Sequence, residues 1–183
     1  MSIQKIDLLN TLDLCNALKT FLAAIPHPTL TATALFDVVN FAEDKNLAES
    51  LQQLIITKSR VCLIVPSGDH FLQEKMGRTI HSTRFTNVDL LMADRSYTKG
   101  GQDAAFGGPN NVGVIAMKDL VTAAIAAQPQ ITGLKWCSLY PTDGAMLSLS
   151  ESEEKRTPGR QAFVLNYETP SGQLITPITT AWP

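Results

Sequence analysis

Few side chains in this sequence are placed to do chemistry, and the best of them follow an apolar run directly. Ser67, Asp69 and His70 come just after Arg60–Val65. A carboxylate beside an imidazole is the smallest acid/base pair, and the end of a buried strand often carries function in α/β enzymes. Of the three histidines, His27 lies between two prolines and His81 in a strand-like run, so only His70 neighbours a carboxylate. Neither metal-ligand spacing nor a nucleophile elbow surrounds the pair. The ordinary reading, a solvated loop after Val65, outweighs the catalytic one. No catalytic residue, metal or cofactor is expected.

A second candidate is the stretch Tyr97–Asn111, which carries Gly100, Gly101, Gly107, Gly108 and Pro109. It is not a phosphate cradle: the GxxxxGK[ST] arrangement is missing, Lys99 is the nearest cation, and Asp103 would repel a phosphate. Long loops inside compact domains usually serve a function. This one reads as a flexible segment that orders against a protein partner, with Lys99, Gln102, Asp103, Phe106 and Asn110 as contacts. The acidic run Glu151, Glu153 and Glu154, followed by Lys155 and Arg156, reads as a charged hairpin tip. Its sharper alternative is pairing with a neighbouring subunit. Pro170–Pro183 contains no charged residue, includes Leu174 and Ile175, and ends on Trp182 and Pro183. An uncharged strand hanging free is an aggregation hazard, so this arm is expected to dock on its own sheet or on an adjacent subunit.

The elements that must position these residues follow from periodicity. Between Ile6 and Ile25, Leu8, Leu12, Cys15, Leu18 and Leu22 recur near one helical face, and Pro26 and Pro28 stop the helix. Thr29–Val39 reads as a strand from its Thr, Leu, Phe and Val content. Asn46 and Glu49 resemble a capping box before a short helix with Leu47, Leu51 and Leu54 on its stripe. Arg60–Val65 is apolar without interruption and reads as a strand buried on both faces, bounded by Pro66-Ser67-Gly68. Gly68–Arg78 reads as a polar connection. Thr79–Ala93 follows as one or two strands, with Val88, Leu90 and Met92 on one face and Leu91 and Ala93 on the other. Val114–Ala127 is a second long helix with Met117, Val121 and Ala124 stacked. Leu134–Tyr140, Ala145–Leu149, Gln161–Tyr167 and Gln173–Ile178 are strand-like, and Glu151–Gly159 has hairpin spacing.

This order predicts an α+β fold, a mixed and mainly antiparallel sheet with two long helices on one face. A single domain over 1–169, including a long hairpin, would carry a C-terminal arm over 170–183. Its 183 residues are enough to bury a self-supporting core. Fifteen Lys and Arg against seventeen Asp and Glu give a net charge of −2, so electrostatics supplies no reason to expect a DNA-binding surface. Charged residues are only 17% of the chain, below the roughly 25% of ordinary domains, so much of the surface is neutral and suited to protein contact. Cys15, Cys62 and Cys137 are odd in number and form no CxxC, which reads as buried free thiols and a reduced cytoplasmic origin. Met1–Asp7 lacks a basic start followed by a long apolar run, and no apolar stretch reaches membrane-spanning length, so neither a secretory leader nor a membrane partner is expected.

From Pro26 to Thr169 this layout resembles the bacteriophage tail terminator family, also called tail-completion or tail-to-head joining proteins. The resemblance is carried by a helix and strand, then Phe85-Thr86-Asn87-Val88-Asp89-Leu90-Leu91-Met92-Ala93-Asp94, a Gly-rich loop, and the helix Val114–Ala127 with Gly133 beyond it. The chain then returns through Leu134–Tyr140, Ala145–Leu149 and Gly159-Arg160-Gln161-Ala162-Phe163-Val164-Leu165-Asn166-Tyr167. Pro170–Pro183 and Tyr97–Asn111 look like additions to the minimal domain. The resemblance implies a non-enzymatic virion protein at the head-proximal end of the tail, made in the host cytoplasm. It would form a homo-oligomeric ring, a hexamer, that caps the tail tube, stops its polymerisation and docks the head-completion or neck protein. DNA would meet it only in passage through the lumen, which a near-neutral chain would not grip. Candidate interface residues on this reading are Asp69, His70, Arg160 and the loop, acidic and arm residues named above. The alternatives are another neck or baseplate component, or a small enzyme or ligand-binding domain using Asp69 and His70.

Overall fold

The computed structural model describes residues 11–42, 51, 53–55, 57–76, 79–95, 102–128, 139–149 and 160–171. Its centre is the hairpin of two 17-residue strands, β2 (Arg60–Met76) and β3 (Thr79–Arg95). With β1 (Val38–Phe41), β4 (Tyr140–Leu149) and β5 (Arg160–Ser171) they form a five-stranded sheet in the order β1-β2-β3-β5-β4. Only β1 and β2 run parallel; every other neighbouring pair is antiparallel. The expected α+β class and mainly antiparallel sheet are therefore present.

The base of the hairpin is buried on both faces because both strands are apolar at odd and even positions there. Cys62 pairs with Met92 and Ile64 with Leu90, and these four face one core; Val61 pairs with Ala93 and Leu63 with Leu91, and these face the other. The first core is closed by α1 (Thr11–Ala23) through Leu14, Cys15, Leu18 and Leu22, and by α3 (Val114–Ala127) through Val114, Met117, Val121 and Ile125. The two long helices thus share one face, as expected. The second core is closed by a helical stretch that includes Leu51 and Ile55, placed on the connection between the parallel strands β1 and β2. Asn46, Glu49 and Leu47 of the expected capping box and stripe lie outside the described residues.

Several expectations need correcting. Leu12 is 58% exposed, because at 100° per residue it lies about 120° around the helix from Leu18. Thr29–Val39 is a turn for most of its length, and only its last two residues enter β1. Its β-rich composition reflects Leu35 and Phe36, which enter the first core from irregular backbone. Gly68–Arg78 is not a connection: β2 runs on to Met76, and a bulge between Pro66 and Gly68 absorbs the turn signal. Within Tyr97–Asn111, Gln102–Phe106 forms a short helix, α2, with Asp103, Ala104 and Ala105 buried, so the middle of that stretch is helical and packed rather than loop. Cys15 and Cys62 are buried free thiols, while Cys137 and both tryptophans lie outside the described residues. The same holds for Glu151–Gly159 and for the arm beyond Ser171.

Candidate functional site

Among the described residues, two features stand out beside the closed cores: a cleft at the base of the long hairpin and a ribbon at its far end.

The first wall of the cleft is the turn after α1. Pro26 and Ala34 pair as an isolated bridge, the His27 amide donates to the Thr33 carbonyl at 2.8 Å, and the Leu35 amide donates to Ile25 at 2.7 Å. Inside the turn, His27 Nδ1 accepts from the amides of Thr29 at 3.2 Å and Leu30 at 3.0 Å. An imidazole accepting at Nδ1 carries its proton on Nε2. Burial, and then the positive charge of Arg60, hold the His27 pKa below its ordinary value, so the ring is kept neutral and the turn stays tied.

Arg60 forms the floor. Its Nη2 pairs with Asp37 Oδ1 at 2.5 Å, while Asp37 Oδ2 accepts the amides of Ser59 and Arg60, each at 3.0 Å. Burial pushes the Asp37 carboxyl up, but the bonds from Arg60 win and hold it below the usual range. This one carboxylate fixes both the guanidinium and the first amide of β2.

The second wall is the chain from Gly107 to Val112 with the first turns of α3. Asp94, at the end of β3 and 1% exposed, ties it down. Its Oδ2 accepts the Gly113 amide at 2.8 Å and its Oδ1 accepts Asn111 Nδ2 at 3.1 Å, while the same Nδ2 donates to the Arg95 carbonyl at 2.6 Å. Burial pushes the Asp94 carboxyl up to about 6 against the pull of these bonds. Glycine is required at two points of this wall. Gly107 has φ +88° and a Cβ there would stand 2.7 Å from the Val112 carbonyl oxygen; Gly113 has φ +84° and a Cβ there would collide with the Gly107 amide nitrogen.

Between these walls lies a cleft of about 780 Å³, with Leu30, Val112, Ala116 and Leu120 among its apolar lining and His27 and Asn110 among its polar lining. A concave, mainly apolar site with a few polar groups is the usual form of a binding site. Its charged lining residues are paired, Arg60 with Asp37 and Asp119 with Lys118 at 3.2 Å. The mainly apolar lining suits holding an apolar group.

The second feature is the distal hairpin. β1 covers β2 only over Val61–Ile64, and β5 covers β3 only from Arg84 onward. Residues Leu72–Met76 and Thr79–Thr83 therefore pair with each other alone among the described residues. Phe71 and Leu72 are 52% and 51% exposed. Consecutive strand positions belong to opposite faces, so the ribbon presents an apolar residue on each side.

The structure places the expected site residues unevenly. Asp69 is a strand residue paired with Thr86, whose hydroxyl donates to its carboxylate at 2.6 Å, and His70 pairs with Phe85. They lie on the ribbon rather than in a loop, at consecutive positions that belong to opposite faces. Asp103, within α2, is largely buried, so it is no surface contact, whereas Gln102 and Phe106 are exposed and Asn110 lines the cleft. Arg160 opens β5 opposite Arg95 and Leu149. Lys99, Glu151, Glu153, Glu154, Leu174, Ile175 and Trp182 lie outside the described residues. Sequence reasoning missed His27, Asp37, Arg60 and Asp94. The Pro-His-Pro and Gly-Gly-Pro-Asn-Asn turns were visible, but nothing local shows that they form facing walls.

No family model matches the chain, and no curated protein matches it in sequence. No helix among the described residues is long and apolar enough to cross a membrane.

Proposed function

We propose that this chain is a structural subunit that closes into a ring, and that the ring is the terminator of a bacteriophage tail. In that role it caps the tail tube, stops its growth and offers a docking surface to the head or neck. The observation that supports this reading is the β2–β3 ribbon. It continues past the sheet that would cover it and carries Phe71 and Leu72, one for each face. The near-neutral composition is consistent with a surface that meets protein, and with a lumen that lets DNA pass. The attachment to a phage tail rests on the resemblance in layout, and another neck or baseplate ring is the variant of the same reading.

Negative-stain imaging of the purified chain tests the ring: closed particles of about six subunits are expected, and a monomer at every concentration overturns it. Loss of tail-length control in particles lacking the protein tests the terminator role specifically.

A further inference from the structure

We propose that Gly107–Gly113, the second wall of the cleft, is a pH-controlled flap, which Asp94 holds shut while its carboxyl is neutral and releases once the carboxyl ionises. The flap belongs to the single subunit and stands whether or not the ring reading does.

Three observations carry it. The first is attachment. Gly108 and Asn111 bond amide to carbonyl in both directions, at 3.0 and 3.3 Å, so the turn keeps its own shape. Its hydrogen bonds to the sheet, among the described residues, converge on the end of β3. The Gly113 amide and Asn111 Nδ2 both donate to Asp94, and the same Nδ2 donates to the Arg95 carbonyl. Gly107 and Gly113, each with positive φ, bound the segment. A preformed turn between two such residues, tied at one point, moves as a unit.

The second is a conflict within the closed position. Asn111 Oδ1 is buried without a donor, which opposes closure. Val112 packs against the first core, which favours it. The balance between them is open to a change of charge at Asp94.

The third is the setting of that carboxyl, which is 1% exposed and bonded by the flap itself. The charged groups on the elements around it are Arg60 on β2, Arg95 on β3, Asp103 on α2, Lys118 and Asp119 on α3, and Arg160 at the β5 position opposite Arg95. Burial outweighs the pull of the flap's own bonds and of Arg60, whose guanidinium is paired with Asp37, and pushes the carboxyl up to about 6. Opening hydrates it and returns it to an ordinary value of about 4. The closed flap thus holds the proton more tightly than the open one. Its closure is fully favoured below about pH 4 and is lost as pH rises through 6. Gly108–Val112 line the cleft, so the cleft changes shape over the same range.

The test is hydrogen exchange on the full chain, with each amide corrected for its intrinsic base-catalysed rate. Protection of the Gly113 amide is expected to fall about twentyfold between pH 4.5 and 7, the ratio given by closed and open values of about 6 and 4. At every pH it is expected to stay below that of Leu63 and Met92 in the central strands, which exchange only on wider unfolding. Asp94→Asn, which cannot ionise, is expected to flatten the Gly113 profile. Gly113 protection that stays level or rises with pH overturns the inference. So does Gly113 protection equal to that of Leu63 and Met92, because the opening is then global unfolding. An unchanged profile in Asp94→Asn assigns the titration to another group and overturns it as well. The wild-type profile decides the first two outcomes even where the variant does not fold.

Discussion

The two halves of the β2–β3 hairpin are one continuous ladder with opposite energetics. In the proximal half, Val61–Ile64 and Leu90–Ala93 are buried from both sides by helices. In the distal half, past the bulge between Pro66 and Gly68, Phe71 and Leu72 are half exposed. The same hydrogen-bonded pairing therefore holds the fold together at one end and serves as a projection at the other. Backbone pairing sets the reach of the ribbon, and side-chain burial decides which part of it is core.

The largest way to break this contrast is in the proximal half. Ile64→Ala is expected to cost 2–5 kcal/mol, the range for emptying a fully buried aliphatic site, read from urea unfolding. Next is pH dependence at the base of the hairpin. The folded Asp94 pKa, about 6, lies above its unfolded value of about 4. Folding therefore favours its protonated form, and its contribution is fully present below pH 4 and lost as pH rises through 6. The swing is about 3 kcal/mol, at 1.36 kcal/mol per pH unit. In Asp94→Asn, urea unfolding measured between pH 4 and 7 is expected to lose this component of the slope. Asp37 has the opposite sign: its lowered pKa gives stability present above its unfolded value and lost as pH falls through the folded one. Asp37→Ala strands the Arg60 guanidinium and two amides, and is expected to cost about 1.5–3 kcal/mol by the same measurement.

The smallest expected effect is in the distal half. Phe71→Ala should change the unfolding free energy by less than about 0.5 kcal/mol. If it costs as much as Ile64→Ala, the ribbon is buried within its own subunit, and the contrast between the halves fails.

Legibility in the sequence follows the same division. Arg60–Val65 was readable as a two-sided strand because every position from Val61 on is apolar, and the faces of Thr79–Ala93 were readable because Val88, Leu90 and Met92 alternate with Leu91 and Ala93. The distal β2 was not, because an exposed ribbon has no need of an apolar period, and Pro66-Ser67-Gly68 looks like a turn whether it ends a strand or bulges it. Leu35 and Phe36 imitated a strand because burial from a loop selects the same side chains. α2 left no trace, since five residues are too few to show a helical repeat. The cleft was the least legible, because its walls and floor come from three separated stretches of chain, around His27, Arg60 and Asn111.

By itself, the sequence determined which segments are apolar on one face or on both, and with that the mixed α+β architecture, because burial of a periodic pattern is a local requirement. Only the tertiary structure decided which polar groups meet. Asp37 finds Arg60 across a parallel strand pair, and Asp94 finds Asn111 and Gly113 across the end of the sheet. Those pairings depend on where chain ends and turns land once the core has closed, and no local pattern encodes that position.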